Sequence, residues 1–193
     1  MTHRSNNFPS ENDHRQRGIS LVIVMIFLVI LSLLGISAMQ SSTLSSRIAR
    51  NEADRNLAFQ AAEAALRDGE LDVRNERFNR SRCNPTIVGC RANLIDKGVR
   101  FDNVCTEGRC AFQDGVSPWE TPANWSTSGP SVKYGTYTGA ADLELVNRQP
   151  RYILENLRIN DAPATYRITA VGYGANPSSQ VMLQIVVRAK NQL

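Results

Sequence analysis

Histidine is almost missing from this chain of 193 residues: the only two, His3 and His14, both lie within the first eighteen. Beyond them the side chain that most often serves as general base at neutral pH has no representative, so imidazole-based triads have no candidate there. No phosphate-cradling glycine loop, no H-E-x-x-H and no G-x-S-x-G occurs either. Paired acids such as Asp142 and Glu144 sit two apart, a spacing that on a strand reads as a solvated face. No catalytic residue and no cofactor is therefore expected. Strong charge is lacking as well. Net charge is +4, from 22 basic and 18 acidic residues, and no lysine- or arginine-rich run concentrates it. That argues against a nucleic-acid partner.

Cysteine is sparse. The four present, Cys83, Cys90, Cys105 and Cys110, are separated by six, fourteen and four residues, with no histidine nearby. Zinc sites of the ribbon type use two tight pairs, so disulfides are expected rather than a metal. Three pairings are possible. Asn84-Pro85 and Glu107-Gly108 supply turn chemistry that favours Cys83–Cys90 and Cys105–Cys110.

The most telling absence is charge between Arg17 and Arg47. After a polar start, MTHRSNNFPSENDHRQRG, apolar residues begin abruptly at Ile19 and run to Met39 as ISLVIVMIFLVILSLLGISAM. As a helix these twenty-one positions would span ~30 Å, the thickness of a bilayer's hydrocarbon core. Ser20, Ser32 and Ser37 interrupt it, but serine can bond back to its own helix. Arg15 and Arg17 precede the run, which places the N-terminus in the cytoplasm and the long C-terminal part outside, in an oxidising compartment. A secretory signal would have a shorter apolar core and a cleavage site after it.

Past residue 40 the helix pattern continues in QSSTLSSRIARNEADRNLAFQAAEAALRDGE. Leu44, Ile48, Asn51, Arg55, Ala58, Ala62 and Ala65 follow a three-four spacing and so share one stripe. Gly69 is a predicted stop. The junction Arg17-Gly18-Ile19-Ser20-Leu21, Asn51, and the stretch Ala58-Phe59-Gln60-Ala61-Ala62-Glu63-Ala64-Ala65-Leu66 together resemble the N-terminal signature of PilX-type minor pilins of type IV pili.

That resemblance has consequences. It implies a leader over 1–18, cut by prepilin peptidase between Gly18 and Ile19, with Ile19 then N-methylated. It implies an inner-membrane subunit whose C-terminal domain is periplasmic. Its partners would be other minor pilins, the major pilin and the inner-membrane assembly machinery. The expected work is pilus assembly, twitching motility and adhesion. Most subunits of the family carry glutamate at the fifth mature position; here that place is Ile23. A buried carboxylate in lipid needs a partner, and in the family it is thought to pair with the amine of a subunit already in the fibre. A subunit without it suits the fibre tip. The alternatives are a pseudopilin of type II secretion and, from another class, a membrane-anchored periplasmic enzyme.

The expected fold is α+β and type IV pilin-like. Residues 19–39 form the membrane or fibre-core half of one long helix and 40–70 its amphipathic half. Residues 71–130 form a loop-rich cysteine-containing region, and 131–193 an antiparallel β-sheet laid over the alanine stripe. Val132, Tyr134 and Thr136 alternate, as do Tyr152 and Leu154. The clearest hairpin joins 164–173 to 180–188 through Gly174-Ala175-Asn176-Pro177-Ser178. Trp119 and Trp125 flank a proline-containing loop and are candidate contact residues.

Overall fold

The computed structural model describes residues 19–76, 89–91, 100–157 and 165–188, without the side chains of 38–43. Residues 1–18, expected to form the leader and ending at Gly18, and Cys83 lie outside the described residues. The chain divides into two compact units, 1–49 and 50–193.

In the first unit, helix α1 (Ile19–Val73) opens with the apolar run. A helix is the only open-ended segment that satisfies all its own backbone groups without water, which is what an apolar surround demands. Its serines follow the same rule: Ser32 Oγ donates to the Leu28 carbonyl at 2.7 Å and Ser37 Oγ to that of Leu33 at 3.0 Å. Residues 19–37 are long and apolar enough to cross a membrane, and none of the segment is buried within the chain.

In the second unit α1 turns small and its stripe becomes core. Ala58, Ala61, Ala62 and Ala65 are buried. The upstream stripe residues Leu44, Ile48, Asn51 and Arg55 are exposed, so burial begins only at Ala58. Nor does the helix stop at Gly69; it runs on to Val73. A Cβ at Gly69 would lie 2.7 Å from Ile168 Cγ2 and 3.1 Å from Tyr152 Cδ2. The glycine permits a close approach and does not end the helix.

The sheet comprises β1 (Arg109–Ala111), β2 (Val132–Lys133), β3 (Arg151–Leu157), β4 (Thr165–Tyr173) and β5 (Gln180–Arg188), in the order β1-β3-β4-β5 with β2 also on β3. Four of its strands pair antiparallel as expected, but β1 lies parallel to β3, so the sheet is mixed. The cysteine-containing stretch thus supplies a strand. The expected strand through Thr136 ends at Lys133, because Gly135 turns the chain at φ 78°. The β4–β5 hairpin forms in the predicted place. Its turn is anchored to α1, where Asp54 Oδ1 accepts the Ala175 and Asn176 amides at 2.7 and 3.1 Å.

Strand alternation sends two sets of side chains to opposite faces. Tyr152, Leu154, Tyr166, Ile168 and Ala170 meet Ala65 and Val73 of α1 in one core. Gly172 brings β4 against the helix: a Cβ there would lie 2.2 Å from the Ala58 carbonyl oxygen and 2.2 Å from the Ala62 nitrogen. The opposite face is not simply solvated. Ile153, Val171 and Tyr173 pack against Cys105, Cys110 and Trp125 in a second core.

Candidate interaction sites

Three parts of the molecule have chemistry beyond ordinary packing. The first is the start of α1. Ile19 is 69% exposed and Ile23 47% exposed, and no acidic residue occupies the first turn. With no charge over 19–37 and with Ser32 and Ser37 bonded to their own helix, this surface is mainly apolar. Such a surface favours apolar surroundings over water. A Cβ on Gly35 would meet nothing within 4 Å, so that position is an open notch on the helix surface.

The second is a set of buried charges under the sheet. Ala61, Ala65, Asp68 and Asp72 recur at helical spacing, and the two acids continue the buried face. Asp72 holds the Arg91 guanidinium through two hydrogen bonds, one of them Nε to Oδ1 at 2.9 Å, and also accepts the Tyr152 hydroxyl at 2.8 Å. Arg91 donates onward to the Glu107 carbonyl at 2.6 Å and lies over the Tyr137 ring. Asp68 accepts the Thr138 hydroxyl and, at 2.8 Å, the Gly135 amide.

Burial pushes the Asp68 carboxyl up to about 6, against the pull of those two hydrogen bonds. Burial also drives the Tyr152 hydroxyl well above its ordinary value. A raised carboxyl beside a second acid can signal an active site. Here each acid is engaged with the chain's own groups, and both work as ties: Asp72 holds the cysteine-containing stretch to α1, and Asp68 holds the 135–138 turn. Across the sheet, fully buried Glu155 takes both ends of the Arg167 fork at 2.8 and 3.0 Å. Sequence reasoning missed all five of these ionic residues. The readable signal was the continuation of the alanine stripe by Asp68 and Asp72.

The third is the outer face of the sheet. Cys105 and Cys110 form a disulfide around the short turn Thr106–Gly108. Cys105, Glu107 and Gly108 all have positive φ, 60°, 52° and 74°. Cys90 is disulfide-bonded as well. Two short 3-10 turns follow, Pro118–Glu120 and Pro122–Trp125. Proline presets the helical φ at the start of each. Trp125 is buried and donates its Nε1–H to the Trp119 carbonyl at 2.9 Å. Arg167 lies over the Trp119 ring at 3.9 Å and Arg148 over the Tyr173 ring at 3.8 Å. The two tryptophans therefore pack on their own domain, yet they also wall a cleft of about 620 Å³ with Pro122, Arg148, Val171 and Met182. Among the described residues no group of three or more His, Cys, Asp or Glu side chains is placed to hold a metal.

A family model described as PilX N-terminal matches residues 17–67. A second, described as type IV pilus assembly protein PilX C-term, matches residues 102–189. Comparisons with curated proteins and with solved structures returned no match.

Proposed function

The chain belongs to the PilX family of type IV pilus proteins, and from that premise we propose that it is a minor pilin whose helix is held in the inner membrane and then transferred into a fibre. The observation that carries this reading is the division of α1. Residues 19–37 are uncharged, apolar and unburied, while Ala58 to Ala65 are locked into a folded domain. A segment of that kind needs a neighbour of equal apolarity. Lipid supplies it before assembly and the helices of other subunits supply it afterwards. Because lipid is as apolar as a leucine side chain, the exchange gains little from hydrophobicity; it depends on packing and on work done by the assembly machinery.

The domain then faces the periplasm, where a disulfide such as Cys105–Cys110 persists. Prepilin peptidase cuts between Gly18 and Ile19, and Ile19 becomes the N-methylated first residue. Ile23 in place of glutamate supports a position at the tip, in a priming complex with other minor pilins, since a tip subunit has no neighbour above it to attract. Twitching motility and adhesion follow from that placement. The work is structural and not catalytic.

Intact-mass measurement of the chain from membranes and from sheared surface fibres tests the reading. N-methylated Ile19 as first residue in both fractions is expected. A chain that starts at Met1 and stays in the membrane would favour a plain anchor. Tip-labelled microscopy tests the placement separately: native chain at fibre ends is expected, with Ile23→Glu admitting it to the shaft, and label spread evenly by the native chain would end the tip assignment.

A further inference from the structure

The two edges of the sheet are finished differently. On the β1/β2 side the edge is broken into strands of three and two residues. The outer side of β1 is already paired, since the Asp102 amide donates to the Arg109 carbonyl at 3.2 Å and the Ala111 amide to the Asp102 carbonyl at 2.7 Å. The Cys105–Cys110 disulfide staples that side further. Short strands, covering chain and cross-links are the usual protections of an edge.

On the other side, β5 runs nine residues in unbroken register with β4. Its outer edge receives no backbone hydrogen bond from any described residue. Among the described residues the usual guards are reduced to Arg188 at the strand's end: Gln180 to Val187 contain no charge, no proline and no glycine. Met182, Ile185 and Val186 are 43%, 41% and 57% exposed. An unguarded edge of this length offers a row of backbone donors and acceptors that only another extended chain can match.

The cleft lies where such a chain would need a pocket. Gln180 and Met182, two apart on β5 and so on one face, form one wall; Trp119, Trp125 and Pro122 form the other. The walls are preset by the Trp125–Trp119 hydrogen bond and by Arg167 over Trp119. Arg148 sits at the cleft, held over Tyr173, and pairs with no described carboxylate.

We propose that the open edge of β5 docks an extended segment of a different protein chain, which adds as a further strand, places a large apolar side chain in the Trp119–Trp125–Met182 cleft and offers a carboxylate to Arg148. A second copy of this chain fits poorly. β5 paired with β5 would bring no acid to Arg148 and would add the like charge of Arg188. The proposal rests on the sheet alone and stands or falls independently of the fibre reading.

The test uses the full chain in detergent micelles and short linear peptides selected on it from a random display library. Synthesised winners are expected to alternate apolar and polar residues around an acid. N-methylation of every second amide, which blocks one edge of the peptide, should weaken binding by about tenfold or more, because several backbone hydrogen bonds are lost. Val186→Lys and, independently, Met182→Lys should do the same with unchanged thermal melts, and Arg148→Gln should weaken acidic winners selectively. Three results would overturn the proposal: no peptide enriches, N-methylation leaves affinity unchanged, or the chain self-associates in a way that Val186→Lys abolishes.

Discussion

One helix is built on two opposite plans. Over residues 19–37, in its first unit, α1 has mostly large apolar side chains, all exposed, and no charge. In its second unit the buried face from Ala58 to Gly69 is alanine and glycine with Asp68 among them, and Asp72 and Val73 close it. The backbone is the same, so the difference lies in what each stretch must meet. Bulk without polarity suits a partner that arrives later and can be exchanged. Smallness with fixed charge suits a partner that is permanently in place, because close backbone approach and saturated ion pairs tolerate no exchange.

The largest expected break in that contrast comes from Gly172→Val. Its Cβ would collide with the backbone at Ala58 and Ala62, and neither side can retreat, so a loss of about 4 kcal/mol or more is expected, seen as an unfolded, protease-sensitive domain. The matched change in the first unit, Gly35→Val, meets nothing and should leave the domain's melting temperature unmoved. Arg91→Met comes next. It strands Asp72 and Tyr152 without their cation, and a cost of about 3–5 kcal/mol is expected from chemical denaturation.

A pH titration probes the same packed unit more gently. The Asp68 carboxyl, held up at about 6 by burial, binds its proton more tightly folded than unfolded, where it would titrate near 3.8. The domain should therefore lose stability as pH rises through about 6 and gain it as pH falls toward 4, by about 2 kcal/mol from this group. Asp68→Asn should flatten that part of the Tm–pH profile. The smallest effect belongs to Leu44→Ala. Leu44 falls on the three-four stripe but is exposed, so thermal stability should change by less than about 0.5 kcal/mol.

Legibility in the sequence followed how local each signal was. The apolar run, the small stripe from Ala58 and the β4–β5 hairpin are written in consecutive residues, and composition and alternation suffice to read them. The outer core is not, because Cys105, Trp125, Ile153 and Val171 come from four separate stretches that only the sheet brings together. Gly69 was misread as a stop because a glycine needed for close packing and one that ends a helix look alike without the neighbouring Tyr152 and Ile168. The parallel pairing of β1 depends on a three-residue strand too short to show any period. Asp68, Asp72 and Arg91 read as ordinary surface charge, since nothing in the chain order brings Arg91 to the helix. At the apolar end, Ile23 was legible as a departure only against the family pattern.

Central to the proposed function is the exchange of lipid for companion helices around residues 19–37. A photo-crosslinking residue at Phe27, which is 62% exposed, tests it most directly. Illumination of membranes should give lipid adducts, and illumination of sheared fibres should give adducts to the apolar helices of other subunits. Lipid adducts alone in both fractions, or cross-links from Phe27 into the chain's own β-sheet domain, would contradict it.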